Sequence, residues 1–330
     1  MDIAVLAAGV LRKDRRSLAR AITLVESARA DHRAQAVALL GLVRSAPGGS
    51  SHALRIGLSG TPGVGKSTFI ESFGLMLTAR GLRVAVLAVD PSSTRTGGSI
   101  LGDKTRMERL SRNSLAFIRP SPSQTQLGGI ARRSREAVAL CEAAGFDVVL
   151  IETVGVGQSE TMVAQLCDLF VLLLAPAGGD ELQGVKRGIM EMADLILVNK
   201  ADGDLVQAAQ QTCGEYAGAL RLLRRRVQDP AGFPKVMTIS ALQETGLAAV
   251  WSDLQLLADW RRLEGHFSKL RAEQDRHWFE EEVRNGLLGA LNREPARGIV
   301  RRLGADVVQG LVAAETAAAQ ALTLLGKTPW

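Results

Sequence analysis

Seven short apolar runs recur through the middle of the chain: Leu54–Leu58, Val84–Val89, Ala116–Ile118, Val148–Ile151, Leu169–Leu174, Leu195–Val198 and Val236–Ile239. Longer stretches with helical spacing separate them. Strands that are apolar on both faces and alternate with helices predict a mostly parallel sheet flanked by helices on both sides. Residues 1 to about 46 read as helices. Leu18, Ile22 and Val25 recur at helical spacing, and Asp14 and Asp31 stand where N-caps are expected. Pro47-Gly48-Gly49-Ser50-Ser51 breaks that pattern and marks the first boundary. From about residue 247 onward the pattern is helical only, Ala-rich over 305–325, with no internal repeat.

Composition narrows the classes. The 330 residues are 46% hydrophobic and 22% charged, which is globular and not disordered. A chain of this length buries roughly three-quarters of its unfolded surface and needs no staples. Cys141, Cys167 and Cys213 are far apart, which argues against a disulfide framework or a structural zinc. The longest apolar stretch, Leu169–Ala177, is far shorter than the roughly 18 residues of a spanning helix. At the N-terminus the apolar Ile3–Leu11 precedes Arg12, Lys13, Arg15 and Arg16, the reverse of a secretory signal. A cytoplasmic protein without a membrane partner is expected. The net charge of +6 with 4% aromatics gives no reason to expect a nucleic-acid partner.

The strongest chemical signal is Gly60-Thr61-Pro62-Gly63-Val64-Gly65-Lys66-Ser67, which matches G-x-x-x-x-G-K-[ST] between a strand-like run and a helical pattern. Gly60, Pro62, Gly63, Val64 and Gly65 would turn backbone N–H groups toward phosphate oxygens, and Lys66, Ser67 and Thr68 would open a helix whose dipole favours an anion. Lys66 would reach the β- and γ-phosphates and the Ser67 hydroxyl would bind Mg²⁺.

The base is read further on. Asn199-Lys200-Ala201-Asp202 follows Leu195–Val198, 133 residues after Lys66. The Asp202 carboxylate can accept from N1–H and the exocyclic amine of guanine, whereas adenine would leave a buried charge unpaired. Such a site discriminates by roughly 10⁴-fold or more. Asn199 and the Lys200 stem would support the loop and the base face, and backbone amides of Ser240-Ala241-Leu242 could contact guanine O6. GTP and GDP are the expected ligands.

A γ-phosphate sensor is expected at another strand end. Val148–Ile151 runs into Glu152-Thr153-Val154-Gly155, so Glu152 would bind Mg²⁺ directly or through water and the Gly155 N–H would contact the γ-phosphate. Asp90, at the end of Val84–Val89, is either a further metal-site acid or a turn cap before Pro91. The polar, Gly-rich residues 91–106 read as a nucleotide-ordered switch, and 175–184 as a second loop facing a partner. The position that holds a water-orienting Gln in Ras-like GTPases is Val156 here, with Gln158 two residues on. Asp103 is the first candidate to take over that role. Lys104, Arg106 and Lys186 are candidates to neutralise phosphate charge or are solvated side chains.

Together these residues resemble the MeaB/ArgK family of SIMIBI-class GTPases, chaperones of adenosylcobalamin-dependent acyl-CoA mutases. The likeness rests on Gly60–Thr68, Val89–Arg106, Phe117–Pro122, Glu152–Glu160, Gly179–Gly184 and Asn199–Asp202, in the expected order, and spans roughly residues 14 to 280. The block from Val89 to Arg106 is far more specific than the phosphate loop. The resemblance implies a P-loop NTPase domain over 51–264, an N-terminal helical extension over 1–50 and a C-terminal helical dimerisation arm over 265–330. It implies a homodimer that serves methylmalonyl-CoA mutase or isobutyryl-CoA mutase, gating cofactor loading through GTP binding and hydrolysis. By motif position Ser67, Asp90 and Glu152 belong to the Mg²⁺ site and Asp103 to a catalytic switch. Lys186, with Asp180 and Gln183, belongs to a third switch that answers to the mutase.

Other readings fit less well. A nickel or zinc metallochaperone GTPase would carry His-rich or paired-Cys motifs, but His32, His52, His266 and His277 are widely spread. A P-loop small-molecule kinase leaves Asn199–Asp202 unexplained. A signal-recognition-type GTPase needs a Met-rich domain, and seven Met are scattered here. Trp251, Trp260 and Trp278 read as packing residues, and Arg221, Arg224, Arg225 and Arg226 as a helix C-terminus favoured by the dipole.

Overall fold

The computed structural model describes residues 2–27, 29–46, 53–89, 107–120, 127–153, 159–176, 187–223 and 226–326. They fall into two compact units, one ending at Arg271 and one beginning at Ala272. Every apolar run is a strand: β1 (Leu54–Ser59), β2 (Val84–Val89), β3 (Ala116–Arg119), β4 (Val148–Thr153), β5 (Leu169–Leu174), β6 (Leu195–Val198) and β7 (Lys235–Thr238). They form one sheet in the order β3-β2-β4-β1-β5-β6-β7, with every pairing parallel. β4, β5 and β6 are buried along their whole length, which is why their sequences are continuous apolar runs.

Among the described residues the α-helices of the first unit are α1 (Ile3–Leu11), α2 (Arg15–Glu26), α3 (Ala30–Ser45), α4 (Lys66–Ala79), α5 (Glu108–Ser111), α6 (Leu127–Ala143), α7 (Ser159–Ala164), α8 (Arg187–Met192), α9 (Val206–Leu222) and α10 (Leu247–Leu263). Helix α11 (His266–Ala290) begins in the first unit, and α12 (Ala296–Val308) and α13 (Ala314–Leu325) lie in the second. Among the described residues no helix is long and apolar enough to cross a membrane.

Local chemistry starts several of these elements. Asp14 caps α2, accepting from the N–H groups of Arg16 and Ser17, and the Ser17 hydroxyl bond holds its carboxyl below the usual range. Asp31 does not cap α3. The cap position is Arg29, and Asp31 lies in the first turn, where it pairs with the Arg29 guanidinium at 2.8 Å. Leu18, Ile22 and Val25 are buried as their spacing predicts. On α4, Phe69 and Phe73 stack at 5.0 Å, and Phe73 meets Trp251 of α10 edge-on at 6.2 Å. Trp251 and Trp278 are buried packing residues, whereas Trp260 is 38% exposed.

The N-terminal edge of the sheet is organised by carboxylates. An Asp immediately precedes each of β4, β5 and β6, and each accepts a backbone N–H at the start of a neighbouring strand. Asp147 takes the Arg83 N–H at 2.7 Å, Asp168 the Arg55 N–H at 2.8 Å and Asp194 the Phe170 N–H at 2.7 Å. Each bond pins one strand against the next. Arg261 of α10 neutralises two acids, reaching Asp194 and Asp229 at 2.6 Å each. Burial works against its charge, but the two carboxylates more than offset that and hold the guanidinium above its ordinary value. Arg271 binds Asp168 through Nε and Nη2, both at 2.8 Å. Arg226 joins the same network, 3.1 Å from Asp194 and 2.8 Å from Asp229. The dipole reading of the basic run therefore holds at most for Arg221, in the last turn of α9; Arg226 lies past the helix in an ion-pair network, and Arg224 and Arg225 lie outside the described residues.

Replacing Arg261 by Ala leaves Asp194 and Asp229 with Arg226 as their remaining cation among the described residues. The expected cost is about 3 kcal/mol, read as a lowered urea midpoint; an unchanged midpoint would mean that Arg226 alone neutralises both acids.

Candidate functional site

All seven strands being parallel, their C-terminal ends share one edge, and β1 sits between β4 and β5 where the strand order reverses. Ligands of such sheets bind at that place. The loop after β1 carries the phosphate motif and opens α4. Its glycines are required by contact and by conformation. A Cβ on Gly60 would lie 2.3 Å from the Leu173 carbonyl oxygen. Gly65 caps α4 in the left-handed region, φ +91, and a Cβ there would lie 2.6 Å from Nδ2 of Asn199. Pro62 and Gly63 are exposed on the loop and Val64 is buried beneath it. Lys66 folds back over the loop, its ammonium donating to the Gly60 carbonyl at 2.6 Å and the Thr61 carbonyl at 3.2 Å. Ser67 and Thr68 follow in the first turn of α4.

Asn199, at the end of β6, is buried and joins three segments. Its Nδ2 donates to the Val64 carbonyl at 2.8 Å, and its Oδ1 accepts the Ala241 N–H at 2.9 Å. The backbone around it is tied down too. The Asn199 N–H donates to Leu174 O at 2.8 Å and the Ala201 N–H to Ile239 O at 2.9 Å. Between them Lys200 adopts φ +60, a conformation that a non-glycine residue keeps only where its surroundings over-determine it. The turn throws the exposed Lys200 outward and brings Asp202 against the turn after β7. There the Ser240 hydroxyl donates to Asp202 Oδ2 and accepts the Gln243 N–H at 3.0 Å. Of the three amides expected at guanine O6, the Ser240 N–H is given to the Thr245 carbonyl at 3.2 Å and the Ala241 N–H to Asn199; the Leu242 N–H has no partner among the described residues, and Leu242 is 77% exposed.

Glu152 is the penultimate residue of β4, level with Leu58 of β1 and Ala88 of β2, and it is buried. Beside it the Thr153 hydroxyl donates to Ser59 Oγ at 3.2 Å, linking the ends of β4 and β1. Asp90, Asp103, Gly155 and Lys186 lie outside the described residues, as do Lys104, Arg106, Gln158, Asp180 and Gln183. The structure thus brings together Gly60–Thr68, Asn199–Asp202 and Ser240–Leu242, with Glu152 on the same sheet edge. It also shows a participant that motif reading does not pick out. Ser72 of α4 donates its hydroxyl to the Ala241 carbonyl at 2.7 Å. The signal for it was a hydroxyl inside the buried stripe of Phe69, Ile70 and Phe73.

Known proteins are similar to this chain over most of its length. The family model for the methylmalonyl Co-A mutase-associated GTPase MeaB matches residues 18–296. A putative GTPase of Caulobacter vibrioides is 50% identical over 327 residues, covering 99% of this chain and 98% of that protein. The GTPase ArgK of Escherichia coli is 49% identical over 278 residues, 83% of this chain and 82% of its own. The mitochondrial methylmalonic aciduria type A homolog of Mus musculus is 48% identical over 295 residues, 87% of this chain and 71% of its own. Among solved structures, a crystal structure of an LAO/AO transport system kinase superposes with a TM-score of 0.75 at 35% identity, covering 98% of each chain. The parallel sheet, the glycine loop opening α4 and the extent of these matches lead to one conclusion: the chain belongs to the methylmalonyl Co-A mutase-associated GTPase family MeaB and is a P-loop GTPase.

Proposed function

We propose that this GTPase is a Mg²⁺-dependent chaperone of an adenosylcobalamin-dependent acyl-CoA mutase, methylmalonyl-CoA mutase or isobutyryl-CoA mutase, and that it gates cofactor loading by binding and hydrolysing GTP. The observation that carries the nucleotide part is the junction at Asn199, where the phosphate loop and the two base-side turns are hydrogen-bonded to one side chain. The mutase part rests on the description of the family and on the name of the mouse relative.

In this reading the backbone of Gly60, Pro62, Gly63, Val64 and Gly65 cradles the phosphates. Lys66, freed from the Gly60 and Thr61 carbonyls, moves its charge onto the β- and γ-oxygens. Asp202, with one oxygen fixed by Ser240, accepts from the guanine Watson–Crick edge, while Lys200 covers the base and the Leu242 N–H faces O6, the Ser240 and Ala241 N–H groups being given to the Thr245 carbonyl and Asn199 Oδ1. The Ser67 hydroxyl, Glu152 and Asp90 are hard oxygen donors of the kind Mg²⁺ takes beside nucleotide phosphates. They would hold the ion, which when bound neutralises charge on the β- and γ-phosphates. Gly155 would sense the γ-phosphate. Asp103 would orient the attacking water, and Lys186 would answer to the mutase. Water attack breaks the bond from the γ-phosphorus to the β–γ bridging oxygen and releases phosphate and GDP.

Residues 1–50, 51–264 and 265–330 would serve as helical extension, GTPase domain and dimerisation arm. Support for the arm is an apolar stripe on α11, where Phe279, Val283 and Leu287 are each about half exposed or more at spacing i, i+4, i+8.

Lys66→Ala should weaken GTP binding by roughly 10–100-fold in a fluorescent-nucleotide titration, and unchanged affinity would remove Lys66 from the phosphate site. Asp202→Asn should lower the preference for GTP over ATP by roughly tenfold or more, and a preserved preference would move guanine reading elsewhere. The chaperone role is tested by GTP turnover with added mutase. Stimulation by one of the two mutases is expected, and no response to either would contradict it.

A further inference from the structure

The base-side turn is anchored from an unexpected direction. The peptide groups of Ala241 are gripped on both sides: the N–H by Asn199 Oδ1 at 2.9 Å, the carbonyl by Ser72 Oγ at 2.7 Å. Asn199 is in turn bonded to the phosphate loop, while Ser72 lies six residues after Lys66 on the helix that the loop opens. Ser72 and Ala241 are separated by 169 residues in sequence, and both are buried, Ser72 at 6% exposure and Ala241 at 1%.

A serine within a helix ordinarily bonds its own preceding turn or faces water. Ser72 does neither; its hydroxyl leaves the helix and satisfies the carbonyl of a turn contributed by β7. The neighbouring side chains Phe69, Ile70 and Phe73 are buried and apolar, so a lost bond would leave the Ala241 carbonyl in surroundings poor in other donors. The Ala241 carbonyl carbon is bonded to the Leu242 nitrogen. Fixing that carbonyl therefore fixes the plane of the peptide that carries the Leu242 N–H, the one amide of the Ala241–Gln243 turn without a partner among the described residues.

We infer that Ser72 is a positioning residue for base recognition: through its bond to the Ala241 carbonyl it aims the Leu242 N–H and sets the selectivity for guanine. This rests on the reading that guanine lies between Asp202 and the Ala241–Leu242 turn. Ser72 touches no phosphate in this scheme, and its loss leaves the Asn199 bond to the Val64 carbonyl of the phosphate loop in place, so its effect falls on the base. Part of the discrimination between nucleotides is thereby built into the phosphate-loop helix.

The test is competition of GTP and ATP against a fluorescent GDP analogue on the full chain, for wild type, Ser72→Ala, Ser72→Thr and Asp202→Asn, with the thermal midpoint of each. Ser72→Ala should lower GTP affinity about tenfold and leave ATP affinity unchanged, so that the GTP:ATP ratio falls about tenfold. Ser72→Thr, which keeps the hydroxyl, should restore most of the ratio. A purely structural role would lower the thermal midpoint and move both nucleotides together, which would overturn the inference. So would a wild-type ratio in Ser72→Ala beside a collapsed ratio in Asp202→Asn, which keeps the guanine site and removes Ser72 from it. A wild-type ratio in Asp202→Asn would overturn the guanine site and the inference with it. Should Ser72→Ala not fold, Ser72→Cys, a weaker donor of similar size, should give an intermediate loss of the ratio, and a wild-type ratio there would contradict the proposal.

Discussion

The side-chain amide of Asn199 is the constraint on which the nucleotide end of the structure depends. It is buried, and both its polar atoms are used, one on the Val64 carbonyl and one on the Ala241 N–H. Neither partner can be lost without leaving a buried polar group unsatisfied, which costs more than the bond itself contributes. The phosphate loop must therefore come close enough for Nδ2 to reach it. That requirement explains Gly65, where any Cβ would lie 2.6 Å from Nδ2. It also accounts for the left-handed Lys200, since hydrogen bonds to Leu174 and Ile239 hold the backbone on either side of it. Three segments far apart in the chain thus share one set of hydrogen bonds.

At the opposite edge of the sheet the same economy is achieved with charge. Asp147, Asp168 and Asp194 each close the start of a neighbouring strand, and Arg261, Arg226 and Arg271 neutralise two of them together with Asp229. The strands are pinned at their N-terminal ends, so their C-terminal ends form a fixed edge from which the functional loops leave. A parallel sheet suits this division, because one edge can be given wholly to structure and the other to chemistry.

The strands were legible because both faces of the sheet are covered, so each had to be an uninterrupted apolar run. Gly60–Ser67 and Asn199–Asp202 were legible because their chemistry admits few alternatives at fixed spacing. What stayed hidden depends on partners distant in sequence. Nothing near Ser72 points to Ala241, and nothing near Arg226 announces Asp194; Arg226 reads as a helix-end charge until the tertiary fold brings the acids to it. Asp31 misled for a local reason. It has the right residue type near a helix start, but its carboxylate is taken by Arg29 two residues before it, so the first-turn amides gain no side-chain cap.

One buried amide makes the phosphate loop and the base-side turns a single unit. Nucleotide competition on Asn199→Ala tests that coupling. Affinity for GTP and for ATP should both fall, each by about tenfold or more, because the phosphate loop loses its anchor whichever base is bound. A loss confined to GTP, with ATP binding at the wild-type level, would mean that Asn199 serves the base alone and would contradict the coupling.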